Sequence, residues 1–263
     1  MLLTGALAYG AVFALRWRWL RVGMRGVVKG DVLARVLEGE ASHPGLRGEE
    51  RDVSILFADI RGFTSWSRRH TPREAVALLN TYFEAMIGVI EGRGGMVDKY
   101  LGDGIMAIFG APDNRPDHAE QAVEAAVAMI GRARELSAVW KRHDFAGFRM
   151  GVGIATGPAL VGMVGSRRRL DYTAIGDTVN RAARIESANK ELRSEILIDA
   201  RTRNAVPPSV RARLGCAESP EQAAAHGIAE GLTVYRVEGP DPAPEVEPAN
   251  GPTVHIPEKE TTT

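Results

Sequence analysis

The stretch from Gly95 to Phe109 constrains this chain more than any other. One run, Gly95-Met96-Val97-Asp98-Lys99-Tyr100-Leu101, meets Gly102-Asp103, and a second, Gly104-Ile105-Met106-Ala107-Ile108-Phe109, follows. Two strand-like runs around a short turn signal read as an antiparallel hairpin with Asp103 in its turn. Upstream, the apolar run Val53-Ser54-Ile55-Leu56-Phe57-Ala58 reads as a buried strand that Asp59 ends. The chain must therefore build a sheet that carries one glycine-flanked aspartate at the edge of each of two strands. Two carboxylates at adjacent strand ends can hold two hard cations close together, the arrangement that metal-assisted phosphoryl or nucleotidyl transfer needs. Each also has a plainer use: Asp-Gly is a common hairpin turn, and Asp59 could cap a helix beginning near Phe63.

The rest of the pattern alternates helices with strands. Thr71-Pro72-Arg73-Glu74 is a capping box with proline at the first helical position. It predicts a helix to about Ile90, with Val76, Leu79, Tyr82, Phe83, Met86 and Ile90 on its core stripe and Gly92, Gly94 and Gly95 ending it. A second helix is predicted from about Asp117 to His143. Residues 148–156 and 159–164 read as two strands joined at Gly157-Pro158. Asp177 is predicted to cap a third helix running to about Asn189, and residues 195–198 read as a further strand. The order βαββαββαβ implies an α/β (α+β) domain, one sheet with helices packed on it.

Composition narrows the function. With 263 residues, 44% of them hydrophobic, the chain suffices for one medium domain with a core and short appendages. The formal net charge is zero, so no global basic field recruits nucleic acid. A single cysteine, Cys216, excludes an intrachain disulfide framework and fits a reducing compartment. Residues 1–15 are apolar and uncharged, and Arg16-Trp17-Arg18-Trp19-Leu20-Arg21 follows. A helix of that stretch spans about 22 Å, short of a hydrocarbon core of about 30 Å. The expectation is that residues 1–21 are the end of a transmembrane helix with a basic, tryptophan-rich flank, its beginning missing from the chain. Residues 22–50 are expected to be a linker with a short signalling helix, 51–238 the catalytic domain, and the Pro/Glu/Thr-rich stretch 239–263 a disordered tail.

A third string, Asp171-Tyr172-Thr173-Ala174-Ile175-Gly176-Asp177-Thr178-Val179-Asn180-Arg181-Ala182-Ala183-Arg184, follows the two aspartate strings in order. Together the three resemble the catalytic domain of the class III nucleotidyl cyclases, from about Arg51 to Val237. The resemblance implies a ferredoxin-like sheet with helices packed on it. It also implies a reaction: the 3′-hydroxyl of a nucleoside triphosphate attacks its own α-phosphate, giving a 3′,5′-cyclic nucleotide and pyrophosphate.

Roles follow from the resemblance residue by residue. Asp59, Asp103 and the Ile60 carbonyl match the ligands of two Mg²⁺ or Mn²⁺ ions. Gly62, Phe63 and Thr64, at a helix start, are placed to cradle phosphate oxygens. Lys99 and Thr173 match the base-selecting pair, and a lysine donor with a hydroxyl acceptor complements adenine. The threonine resembles the subfamily that includes the bicarbonate-stimulated enzymes. Asn180 and Arg184, four residues apart on one helix face, match the groups that orient the ribose and stabilise charge on the α-phosphate. Arg168 matches a triphosphate contact. The family's phosphate-binding lysine is replaced near Ile228. The expectation is thus a membrane-tethered, cytoplasmic adenylyl cyclase acting on ATP as a head-to-tail homodimer. The alternatives are a guanylyl cyclase and a degenerate nucleotide-binding regulator. The stimulus and any bicarbonate sensitivity are not written in the chain.

Overall fold

A computed structural model describes residues 48–140, 148–166, 169–222 and 233–239. The expected membrane segment, signalling helix and tail lie outside them, as do Arg168 and Ile228. Among the described residues no helix is long and apolar enough to cross a membrane.

The described chain divides into two compact units. The larger comprises Glu50–Leu160 and Ala174–Thr263, and the smaller contains Val161–Thr173. In chain order the larger unit begins with β1 (Glu49–Arg61), α1 (Phe63–Ser67), α2 (Pro72–Glu91), β2 (Met96–Leu101), β3 (Gly104–Phe109) and α3 (His118–Trp140). The strands β4 (Arg149–Ser166) and β5 (Arg169–Ile175) cross the boundary between the units. Then come α4 (Asp177–Leu192), β6 (Ile196–Asp199), α5 (Ala200–Ala205), α6 (Pro208–Arg213), β7 (Glu221–Gln222) and β8 (Thr233–Arg236).

The sheet order is β2-β3-β1-β4-β6-β8-β7, with β5 pairing β4. β3 lies antiparallel between β1 and β2, so β1-α2-β2 is a split βαβ unit. With β4 on the far side of β1, the first four strands have the ferredoxin-like arrangement that the sequence predicts. β4 and β6 are parallel, Val152 opposite Ile196.

Side-chain alternation then assigns the faces. Leu56, Ala58 and Ile60 of β1, with Met150, Val152 and Ile154 of β4, enter a core shared with α2 and α3. The opposite face of β4 carries Gly151 and Gly153, and α4 lies directly on it. A Cβ on Gly153 would stand 2.1 Å from the Glu186 amide nitrogen, and one on Gly151 2.7 Å from Glu186 Oε1. Those glycines set how closely α4 approaches the sheet.

One local expectation holds and three change. The capping box at Thr71 forms, its side chain receiving the Glu74 amide while the Glu74 carboxylate receives the Thr71 amide. The core stripe of α2, however, is Leu78, Tyr82, Met86 and Ile90. Val76 is exposed, because a strict i, i+4 row leaves it on the solvent side. No hairpin forms at Gly157-Pro158. β4 runs straight through them, since Gly157 is needed for close approach: a Cβ there would meet Thr178 Oγ1 at 2.8 Å. Asp177 does not cap α4. Gly176 occupies the N-cap position without a side-chain bond, and Asp177 Oδ2 instead receives Arg181 Nη1 at 2.8 Å.

Candidate active site

Asp59 lies two residues before the end of β1, and Asp103 in the two-residue turn between β2 and β3. The left-handed residue of that turn is Gly102, φ +69°, at its first position. Gly104 serves a different purpose. A Cβ there would lie 3.5 Å from Asp59 Oδ1 and 3.2 Å from the Ala58 carbonyl oxygen, so glycine lets the turn close against β1 without displacing that carbonyl.

The structure brings the two carboxyl groups close enough together that each perturbs the other's ionisation. Burial raises both above the ordinary range. Asp103 is pushed up to about 6, by burial first and by the Asp59 charge second. Two further groups report on the same spot. Glu186, on the sheet-facing side of α4, rises to about 7 through burial and the charge of Asp59, with Arg61 opposing. The Tyr82 hydroxyl is fully buried without a hydrogen-bond partner, and burial together with the charges of Asp59 and Asp103 raises it. The sequence carried one signal for Glu186: it falls on the buried stripe with Ala182, Ile185 and Asn189, an acid where an apolar residue is expected.

Two converging carboxylates that share a proton fit a hard divalent cation, which would take the proton's place. Among the described residues no cluster of three or more His, Cys, Asp or Glu forms. Backbone carbonyls, water and phosphate oxygens would therefore complete the shell, the habit of Mg²⁺. Ile60 is adjacent in β1 with its side chain in the core. Gly62 adopts φ +79° and is the N-cap of α1, placing the backbone of Phe63 and Thr64 in the first turn beside Asp59.

Lys99 stands half-exposed on β2, its Nζ 3.4 Å from Asp98 Oδ2, just past a register shift between Val97 and Lys99. Thr173 is buried on β5 in the smaller unit. Asn180 and Arg184 are exposed on α4. Asn180 joins Ala174, Ile175, Gly176, Asp177 and Val179 around a depression of about 540 Å³, which neither aspartate lines.

Helical geometry separates these groups. At about 100° per residue, Arg184 lies about 160° around α4 from Glu186, and Asn180 about 120°. The side of α4 that senses Asp59 and Asp103 is thus not the side that carries Asn180 and Arg184.

Similarity to known proteins identifies the family of the domain. The model of the adenylate and guanylate cyclase catalytic domain matches residues 47–209. Adenylate cyclase 1 of Rhizobium meliloti (strain 1021) is 35% identical over 202 residues, covering 76% of this chain and 30% of the relative. The terminal-differentiation-specific adenylate cyclase of Dictyostelium discoideum is 38% identical over 160 residues, 61% of this chain and 7% of that protein. This chain thus spans under a third of the length of either. Among solved structures, the guanylyl cyclase Cya2 superposes with a TM-score of 0.63 at 34% identity, over 74% of this chain and 96% of that one. The adenylyl cyclase CyaB from P. aeruginosa gives 0.64 at 31%, over 74% and 97%.

Proposed function

This chain belongs to the family of adenylate and guanylate cyclase catalytic domains, and on that premise we propose that it converts ATP into 3′,5′-cyclic AMP and pyrophosphate. The observation that carries the reading is the close pair of raised, half-buried carboxyls, Asp59 and Asp103, with Gly104 packed between them against β1. Asp59 and Asp103, with the Ile60 carbonyl, would hold two Mg²⁺ or Mn²⁺ ions. Bound there, the ions would lower the pKa of the attacking 3′-hydroxyl and neutralise charge on the triphosphate. The backbone of Gly62, Phe63 and Thr64 would receive phosphate oxygens at the start of α1. Arg184 would stabilise charge on the α-phosphate, and Asn180 would orient the ribose.

Relatives with adenylyl and with guanylyl activity in their names show comparable identities, 31–38% and 34%, so the base preference rests on this chain's own residues. Lys99 donates and Thr173 accepts, which suits the N1 and exocyclic amine of adenine. Guanine would leave those groups unpaired.

The two faces of α4 support a shared site. Asn180 and Arg184 point away from the aspartates of their own chain, so we propose that they complete the site of a second copy in a head-to-tail homodimer. Residues 1–21 would tether the domain to the cytoplasmic side of a membrane. Product analysis with ATP and with GTP, each under Mn²⁺, tests the reading. Cyclic AMP from ATP alone is expected. Equal turnover of GTP would overturn the base preference, and no cyclic nucleotide from either substrate would overturn the activity.

A further inference from the structure

A line of buried hydroxyls crosses the larger unit from α3 to α4. His118 Nδ1 lies 2.9 Å from Ser54 Oγ. Ser54 Oγ is 2.7 Å from Thr156 Oγ1, which is 2.8 Å from Thr202 Oγ1. Thr202 Oγ1 is 2.6 Å from Asp199 Oδ1, and Arg181 Nε donates to Asp199 Oδ2 at 2.9 Å. Ser54, Thr156, Thr202 and Asp199 are all buried.

The direction of every bond follows from the last acceptor. An ionised carboxylate accepts only, so the Thr202 hydroxyl donates to Asp199. Thr202 has no second proton and must accept from Thr156. Thr156 in turn accepts from Ser54, and Ser54 accepts from His118. His118 therefore carries its proton on Nδ1 when neutral. Asp199 is saturated: Oδ1 also receives the amides of Thr202 at 2.8 Å and Thr156 at 3.3 Å. The carboxylate cannot turn away from Arg181.

Arg181 uses this fixed anchor. Besides Asp199 it donates to the Thr156 carbonyl at 3.0 Å and to Asp177 at 2.8 Å. It thus joins the first turn of α4 to β4 and to the end of β6. That turn needs the tie, because its N-cap, Gly176, supplies no side-chain bond. The Thr178 hydroxyl adds a second tie, to the Pro158 carbonyl at 2.8 Å. Asn180 is the neighbour of Arg181 in the same turn, exposed at the depression while Arg181 points inward.

We propose that Arg181 is a positioning residue for the cyclisation reaction, held by a one-way hydrogen-bond relay from His118 to Asp199 so that Asn180 stays in register with the substrate. The role rests on the cyclase reading above; the anchor itself does not. A misplacement of order 1 Å at a substrate-orienting group costs about 100-fold in rate.

The experiment compares the full chain with Arg181→Met, Arg181→Lys and Asp199→Asn. Arg181→Met should lower kcat for ATP by about 10- to 100-fold and change KM by less than about threefold. Arg181→Lys should recover part of kcat. Asp199→Asn sets an amide donor against either Thr202 or Arg181 Nε, and should resemble Arg181→Met. Hydrogen exchange at the Val179 and Asn180 amides should accelerate in both, because those amides bond Gly176 in the tied turn. Nitrogen NMR of the unmodified chain should show neutral His118 protonated at Nδ1. Unchanged kcat in Arg181→Met, a loss confined to KM, or unchanged exchange at both amides overturns the positioning role. An Nε2-protonated His118 overturns the relay. If Arg181→Met does not fold, Arg181→Lys carries the same readouts. If the unmodified chain makes no cyclic nucleotide, the cyclase reading fails, while exchange and the His118 tautomer still decide the anchor.

Discussion

Asn189 and Asn180 sit in the same helix, one wholly buried and the other exposed. Asn189 Nδ2 donates to the Val152 carbonyl at 2.8 Å and to the Glu186 carbonyl at 3.1 Å, and its Oδ1 receives the Ser194 hydroxyl at 2.8 Å. Among the described residues the Asn180 side chain makes no hydrogen bond. The same residue type, equally unfavoured inside a helix, thus serves two ends. On the inward face of α4, Thr178, Arg181 and Asn189 all find partners in their own chain. On the outward face the Asn180 and Arg184 side chains are exposed, with no hydrogen bond or ion pair among the described residues. Low helix propensity marks a residue that needs a reason, and the place of its partners tells which reason.

The largest expected effect lies at the carboxylates that the inward face senses. Asp59→Ala or Asp103→Ala should cut cyclic AMP formation by at least about 1000-fold. Neither change should lower the thermal midpoint of the metal-free chain, because each removes one member of a pair that burial and mutual repulsion disfavour. A variant with near-normal turnover, followed by pyrophosphate release, would dissolve the assignment of that face.

The outward face gives the next effect. Asp59→Ala and Arg184→Ala protomers should each be inactive alone. In a mixed dimer, one site takes its aspartates from the Arg184 variant and its arginine from the Asp59 variant. Random exchange makes half the dimers mixed, each with one intact site of two, so activity should return to about a quarter of normal. If protomer exchange is demonstrated and the mixture stays inactive, the two faces must serve one site within one chain.

Much of this was legible in the sequence, for physical reasons that also mark where reading stopped. The β2–β3 hairpin and the capping box at Thr71 are local, since turn chemistry and side-chain capping act over a few residues. The unbroken course of β4 through Gly157-Pro158 is not local. It depends on Thr178 and Arg181 arriving from α4, and glycine with proline reads as a turn without them. The α2 stripe was placed one position off at Val76 because several phases of an apolar helix look alike until the sheet selects one. Glu186 and the Arg181–Asp199 pair escaped because each draws its meaning from a partner distant in sequence. An acid on a buried stripe was the one visible trace.

A smaller effect separates the two asparagines. Asn189→Ala leaves the Val152 carbonyl and the Ser194 hydroxyl buried without their partner, which costs about 1–3 kcal/mol in denaturant unfolding. Asn180→Ala should stay within about 0.5 kcal/mol of the unmodified chain, as exposed substitutions do, and lower turnover. Equal stability losses at the two positions would erase the contrast between the faces. Asn180→Ala with unchanged turnover would leave the outward face without the function proposed for it.

The smallest expected effect is a pH dependence confined to the inward face. Asp103 and Glu186 hold their protons to about 6 and about 7 in the folded chain, above the ordinary carboxylate values they regain on unfolding. A raised acid favours the folded state below its unfolded pKa, and that contribution is lost as pH rises through the folded value. His118 acts in the opposite sense. Burial holds it below its ordinary value, so its contribution is present above about pH 6.5 and is lost as pH falls through the folded value. Only by about pH 7.5, one unit above its unfolded value, is His118 neutral in both states; between about pH 6.5 and that point the carboxyls together outweigh its remaining opposite slope. The thermal midpoint of metal-free protein should therefore decline from about pH 6.5 to about pH 8, and Glu186→Gln should flatten the decline. A divalent cation replaces the shared proton, so the rise in midpoint on adding Mn²⁺ should be small near pH 5 and grow toward pH 8. A metal-free midpoint that climbs through this window, or an Mn²⁺ shift independent of pH, would show that the carboxyls beneath α4 are not held against their charge.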